Sequence, residues 1–392
     1  MKGLIYLALR YVCYHRWRSV ILMLCLSLTF FFPLSVHRVV IEFQSALWAR
    51  SEATPMVIGA KGSRFDLVLH ALYFRNKGPD SISWADYETL RDTGLGDPIP
   101  IHSAFQARGF PIVGTSLDYL EWRGMELASG RSLLHLGECV LGASVAAQLE
   151  LVVGDSLMSD PENVFNIAGD YPLKMRVVGI LSRQDSPDDQ AVFVDIKTAW
   201  VIAGIGHGHD EVADDADSTT LLRREGNNRV VNASVLSYME VTEANRDSFH
   251  FHASPGERPL TALLFVPRDA KSGTLLRGRF QGVDSPVQIL RPREVVNELM
   301  TTVSRVKQFL DLNFVLVLGV VGLFLGLVIL LSLRLREREM ETLFLLGCRR
   351  GTVWGLLFLE LSVVGLVSLG ITLCFSWVAE SVFETWLRQM FS

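Results

Sequence analysis

At 392 residues, with 49% hydrophobic and 20% charged side chains, the chain is too apolar for an ordinary soluble protein and too charged to lie wholly in lipid. Its net charge of -5 hides an asymmetry, because arginine crowds the N-terminus and the stretch after residue 333 while acids dominate the long middle. No part carries the basic stripe of a nucleic-acid surface, and no nucleic-acid partner is expected.

Residues 1–18 read as an amphipathic, basic helix on the cytoplasmic side, and residues 19–39 as the first membrane span. Within that span SVILMLCLSLTFFFPLSV (19–36) is uncharged and long enough to cross about 30 Å of hydrocarbon. A cleaved signal peptide has a shorter apolar core and a small-residue cleavage site, whereas this segment runs on into HRVVIEFQSALWAR with helical character. Pro33 is expected to kink the span, which helix bundles tolerate.

Residues 40–311 read as a large extracytoplasmic α+β domain with helical stalks at both ends, 40–50 and 295–311. Between the stalks, short β-rich runs are punctuated by glycine and proline: FPIVG (110–114), ECVLG (138–142), MRVVGIL (175–181), QAVFVD (190–195) and LTALLFV (260–266). LGASVAAQLELVVGDS (141–156) reads as a short helix ending before a turn at Gly154 and Asp155. Of the five cysteines, only Cys139 falls in this domain, so a core rather than an internal disulfide must hold it together.

The stretch GHGHDEVADDAD (206–217) is polar and glycine-flanked, as an exposed loop would be. It offers His207, His209, Asp210 and Glu211 as candidate metal ligands, since imidazole and carboxylate suit zinc or another borderline divalent ion. Further on, FHFH would set His250 and His252 on one face of a strand by its period of two. An H-x-H pair in a loop fixes neither ligand number nor geometry, and a plain solvated acidic loop explains the same composition.

Residues 312–333 form the second predicted span, with Gly319, Gly322 and Gly326 placed for close helix approach, and residues 353–378 the third. Glu360 is costly in lipid, so it either faces another helix or snorkels to the inner boundary. Basic flanks at Lys2, Arg10, Arg16 and Arg18, and again at Arg334, Arg336, Arg338, Arg349 and Arg350, place both stretches in the cytoplasm. The expectation is a multi-pass plasma (inner) membrane protein with a cytoplasmic N-terminus and its large domain outside. Residues 379–392 are too short to span and read as an amphipathic tail on the outer surface.

Between the second and third spans, residues 334–352 (RLREREMETLFLLGCRRGT) combine arginines with an apolar stripe at Met340, Leu343, Phe344 and Leu346, as in a helix that docks in a partner's groove. GAKGS (59–63) is not a phosphate-cradling G-x-x-x-x-G-K-[ST] loop, and no nucleophile elbow, H-E-x-x-H helix or C-x-x-C pair occurs. The chain reads as non-enzymatic, with its energy supplied by a partner.

Arg334 to Gly347 resembles the R-x-R-E-x-E-x-x-x-L-x-x-x-G connection of FtsX-like and MacB-like ABC transporter permeases, the mechanotransmission type, and LALRYVCYHRWRSVILML (7–24) resembles their N-terminal helix and first span. VIGAKGSRFDLVLHALYF (57–74) and IVGTSLDYLEWRGMELASGR (112–131) are similar to a branch of that family with a VGAKGS motif. The resemblance implies a MacB-like periplasmic core domain with an inserted lobe at about 115–225. It also implies a permease subunit paired with a second copy or paralogue and bound to a soluble ATPase that holds the ATP and magnesium. Such a complex moves a lipoprotein, lipid or peptide outside the cytoplasm. By the same analogy Arg336, Glu337, Glu339, Met340, Glu341, Leu343, Phe344 and Gly347 are the ATPase contact, and residues 40–50 and 295–311 the levers. The family ordinarily has a fourth span. Its absence here is expected to reflect a naturally shortened product, a truncation or a helix supplied by a partner. The competing readings are a zinc-handling membrane protein and a membrane-anchored sensory or structural module.

Overall fold

The computed structural model describes residues 2–75, 80–161, 172–207, 221–225, 228–231, 238–280, 282, 285–335, 345 and 350–391. They fall into a helical unit, Met1–Leu47 with Glu298–Leu387, and a mixed unit, Trp48–Asn297 with Arg388–Ser392. The helices are α1 (Lys2–Tyr14), α2 (Arg16–Glu52), α3 (Arg64–Tyr73), α4 (Trp84–Asp92), α5 (Leu117–Trp122), α6 (Ala143–Leu149), α7 (Ile196–Ile202), α8 (Ala270–Phe280), α9 (Pro292–Leu335) and α10 (Arg350–Phe391).

Three of these, α2, α9 and α10, are long and apolar enough to cross a membrane, in the order expected from the sequence. Pro33 lies inside α2, which continues through it. Within the helical unit α2 and α10 meet through hydroxyls: Ser27 Oγ donates to the Ser368 carbonyl at 3.0 Å, and Thr372 Oγ1 to the Ser27 carbonyl at 3.2 Å. Phe31 and Phe375 stack edge-on one turn further along. A Cβ added at Gly319, Gly322 or Gly326 of α9 would meet nothing within 4 Å, so no described residue of this chain uses that small-residue face. α10 runs unbroken from the third candidate span to Phe391, so the stretch read as an amphipathic tail is helical up to that residue. From Ile371 onward the sequence contains neither glycine nor proline to stop a helix.

The strands of the mixed unit are β1 (Met56–Ala60), β2 (Ile82–Ser83), β3 (Gly96–Ala107), β4 (Phe110–Thr115), β5 (Leu127–Gly130), β6 (Glu138–Leu141), β7 (Ser156–Met158), β8 (Leu173–Leu181), β9 (Val192–Asp195), β10 (Gly206–His207), β11 (Leu221–Glu225), β12 (Asn228–Val231), β13 (Met239–Glu240), β14 (His250–Phe251), β15 (Pro259–Leu260), β16 (Ala262–Pro267) and β17 (Val287–Leu290). An eleven-stranded sheet runs β13-β8-β6-β9-β4-β3-β16-β1-β17, with β5 and β7 also on β8. The pairs β4/β9, β6/β8 and β8/β13 are parallel and the others antiparallel, which makes the sheet mixed. Each β-rich run singled out in the sequence contributes to a strand of this sheet, and the helix expected in 141–156 is α6, followed by a turn at Gly154.

Two apolar clusters fill the unit. One gathers Ile112, Leu141, Val145, Met175, Val177 and Val194; the other gathers Met56, Ile58, Leu90, Trp200, Leu263 and Phe265. Phe251 packs against both. The VIGAKGS segment is part of this packing: β1 is buried throughout, and a Cβ at Gly59 would stand 2.4 Å from the buried Leu67 side chain of α3. Ser63 then caps α3 by accepting from the Asp66 amide.

Candidate functional site: a buried ionic junction at the helix ends

Residues Trp48 to Glu52, the last turn of α2 inside the mixed unit, end a helix that began in an apolar span. The arginine in this turn is buried, at 9% exposure. Burying a guanidinium is costly unless a carboxylate meets it with full hydrogen bonding. Arg50 has that partner. Its Nη1 and Nη2 donate to Asp188 Oδ2 and Oδ1 at 2.5 and 2.9 Å, its Nη2 also to the Tyr119 hydroxyl at 3.0 Å, and its Nε to the Leu72 carbonyl at 3.2 Å. The Tyr119 hydroxyl passes its own proton to Asp188 Oδ1 at 2.6 Å. A two-pronged charge-assisted pair of this kind is directional as well as strong.

Local sequence presents Asp188 at this point. Ser186-Pro187-Asp188-Asp189 starts a 3₁₀ turn (Pro187–Gln190) with a capping box, in which Ser186 and Asp189 satisfy each other's backbone amides. That frees the Asp188 side chain to face inward. Gly142, just before α6, lies against the same turn: a Cβ there would stand 2.3 Å from the Asp189 carbonyl oxygen and 2.4 Å from that of Asp188.

The electrostatics agree with a charged pair. Burial opposes ionisation of Asp188, but the Arg50 charge and its hydrogen bonds prevail and hold the carboxyl below its ordinary range. Burial likewise opposes the Arg50 charge, yet Asp188 outweighs it and the guanidinium is held charged more firmly than usual. Burial and the Asp188 charge push the Tyr119 phenol up to about 12, so it stays a neutral donor. Arg123 extends the network, donating from Nη2 to Thr54 Oγ1 at 2.9 Å and lying over the Trp122 ring at 4.2 Å. Thr54 Oγ1 in turn donates to the Arg50 carbonyl at 3.1 Å.

Beside this turn lies the first turn of α9, also in the mixed unit. Trp48 Nε1 donates to Asn297 Oδ1 at 3.1 Å, and Arg293 pairs with Glu52 at 3.3 Å. The ends of two long helices, each carrying an apolar span, are thus joined to one another. One of them is also clamped to Leu72, Tyr119 and Asp188. The stalk segments 40–50 and 295–311 were legible as helices, but Arg50, Tyr119 and Asp188 were not singled out. The signal that was present is an arginine ending a helical stalk (SALWAR) together with the S-P-D-D cap.

The residues expected to contact an ATPase, Arg336, Glu337, Glu339, Met340, Glu341, Leu343, Phe344 and Gly347, lie outside the described residues, as do His209, Asp210 and Glu211. His207 closes β10 and pairs in register with His250 of β14. Glu360 lies in the third candidate span, Phe358–Ala379 of α10, and is partly exposed. Among the described residues no group of three or more histidine, cysteine, aspartate or glutamate side chains is placed to hold a metal ion.

Residues 54–234 match the model of the MacB-like periplasmic core domain, and residues 313–392 that of the FtsX-like permease C-terminal region. Similar solved structures include the periplasmic region of MacB from Actinobacillus actinomycetemcomitans, at 12% identity and a TM-score of 0.34, covering 64% of this chain and 97% of that one. Another is the extracellular domain of the noncanonic ABC-type transporter YknZ from Gram-positive bacteria, at 10% identity and a TM-score of 0.33, covering 60% and 98%. No curated protein matches the chain.

Proposed function

This chain belongs to the family of MacB-like, FtsX-like ABC transporter permeases, and from that premise we propose that it is the non-catalytic membrane subunit of a complex powered by a separate soluble ATPase. ATP binding and hydrolysis in the partner move the cytoplasmic segment 334–352, and α2 and α9 carry that motion into the outer domain, which acts on a lipoprotein, lipid or peptide outside the cytoplasm. A second copy or a paralogue completes the permease, and its spans supply neighbours for the small-residue face of α9.

The observation that supports this reading best is the junction at Arg50. A helix that is to transmit displacement needs an end that cannot slip, and α2 ends in five hydrogen bonds of Arg50 and Tyr119 that converge on Asp188, Tyr119 and Leu72. The cytoplasmic end is assigned by resemblance: Glu339 and Glu341 are the polar points of the ATPase contact, flanked by Met340, Leu343 and Phe344.

The test is recovery of the intact chain from its native membrane in mild detergent, with mass spectrometry of what accompanies it. A soluble ABC ATPase is expected in the wild type and absent with Glu339→Lys or Glu341→Lys. A folded wild-type chain that brings no ATPase with it would overturn the proposal.

A further inference from the structure

Two guanidiniums meet at the buried junction, and among the described residues one carboxylate serves them. Asp188 gives both its oxygens to Arg50. Its neighbour Asp189 is turned to the backbone amides of Gln184 and Ser186. Arg123 makes one side-chain hydrogen bond, from Nη2 to the buried Thr54 hydroxyl at 2.9 Å. Its Nε is closed to water and has no acceptor among the described residues. Its Nη1 has none there either but stays open to solvent, since the residue is only partly buried. Burial, with the Arg50 charge behind it, holds the Arg123 pKa below its ordinary value, although Tyr119 and Asp188 pull the other way. The junction therefore carries one positive charge in excess, on a group that a low-dielectric setting penalises until an anion meets it.

The guanidinium is held for such a meeting. Arg123 caps α5, and the chain turns away through Gly124 at φ +64°, with the Gly124 amide donating to the Glu121 carbonyl and the Met125 amide to the Leu120 carbonyl, both at 2.9 Å. Its Cζ lies 4.2 Å from the Trp122 ring centroid and 5.7 Å from that of Tyr119. Aromatic rings occupy the faces of the guanidinium, so its edge is what remains for a ligand, and a guanidinium edge matches two coplanar oxygens.

We propose that Arg123, backed by Trp122 and Thr54, is the receiving group of a carboxylate-binding site on the outer domain, and that a peptide or protein carries the carboxylate, as a chain end or an acidic side chain. A carboxylate is planar, so both its oxygens can use the free edge, and its single negative charge equals the excess. A phosphate dianion would call for a second free cation, and Arg50 is already taken by Asp188. The site is built from the outer domain alone and stands apart from the recovery of an ATPase.

The experiment uses the full-length chain in detergent micelles. Phenylglyoxal, which attacks guanidinium nitrogens, is applied at matched ionic strength, and the extent of labelling at Arg123 is read by peptide mass spectrometry. N-acetylalanine stands in for a chain end and N-acetylaspartic acid diamide for a side chain; N-acetylalanine amide is the neutral control. Labelling of Arg123 should slow at least about twofold once a carboxylate passes its Kd, because half the sites are then filled. The amide should not slow it, and the exposed Arg91 should be labelled alike throughout. The probe that protects at the lower concentration identifies the source. In saturation-transfer NMR, Arg123→Lys, which keeps the charge and loses the planar fork, should lose the signal of the bound carboxylate, while Arg91→Gln keeps it. An Arg123 that phenylglyoxal does not reach, protection by neither carboxylate, stronger protection by inorganic phosphate, or an unchanged signal in Arg123→Lys would each overturn the proposal. Should that variant misfold, the labelling of the wild type decides alone.

Discussion

Arg50 and Asp188, 138 residues apart in sequence, share a two-pronged ion pair at 2.5 and 2.9 Å with both side chains buried. Removing one partner strands the other charge in a site closed to water. Asp188→Ala is therefore expected to destabilise the outer domain by about 3–5 kcal/mol. Replacing both, Arg50→Met with Asp188→Leu, should cost much less, because a well-packed apolar pair often matches a buried ionic one. Denaturant unfolding of the four species checks this as a double-mutant cycle, and equal losses in the single and double variants would show that the pair does not hold the junction.

Gly142 is the second handle on the same junction. A Cβ there meets backbone carbonyl oxygens of Asp188 and Asp189 at 2.4 and 2.3 Å, and backbone cannot swing aside as a side-chain tip can. Gly142→Ala is expected to push the 3₁₀ turn outward and cost about 1–3 kcal/mol, the range for overpacking a dense interior. Combined with Asp188→Ala its effect should be less than additive, since both act on one turn. Thermal unfolding of the two singles and the double reads this coupling.

His102, on β3, predicts a pH dependence. It is 4% exposed, and neither of its ring nitrogens has a hydrogen-bond partner among the described residues. Burial, followed by the neighbouring His70, pushes its pKa down from 6.5 to about 4. The unfolded chain binds this proton below the ordinary value, whereas the folded chain takes it up only near 4. The stability present above pH 6.5 is therefore lost progressively as pH falls towards 4, by about 3 kcal/mol for a shift of this size. His102→Phe should flatten the stability curve between those limits. An unchanged acid limb in the variant would assign that limb to other groups.

Much of this architecture could be read from the chain because its signals are local. Uninterrupted apolar length marks α2, α9 and α10, and short β-rich runs in a segment punctuated by glycine and proline mark β4, β6, β8, β9 and β16. The length of α10 is not legible in the same way, because falling hydropathy tells where a span leaves lipid, not where a helix stops. The junction was not legible for a different reason. Nothing near Arg50 in sequence distinguishes it from a solvated arginine, and Asp188 is set apart only once the sheet brings residues 50, 119 and 188 together. The histidine strand lay between these cases: its alternation was visible, but the pairing of His207 with His250 needed the fold.

The hydroxyl contact between α2 and α10 leads to a last expectation. Ser27 Oγ donates to the Met23 carbonyl at 2.6 Å and to the Ser368 carbonyl at 3.0 Å, and the side chain is only 1% exposed. A hydrogen bond between membrane helices averages about 0.6 kcal/mol, because the separated helices find other partners within themselves. Here Met23 is that other partner, so Ser27→Ala should cost well under about 1 kcal/mol. Ser27→Leu differs in kind. It adds three carbons where the facing backbone is already within hydrogen-bonding distance, and overpacking typically costs about 1–3 kcal/mol. Unfolding titrations of the full chain in mixed micelles should rank wild type and Ser27→Ala together and Ser27→Leu below both. Equal losses for the two variants would mean that the hydroxyl, not the close approach, holds these helices together.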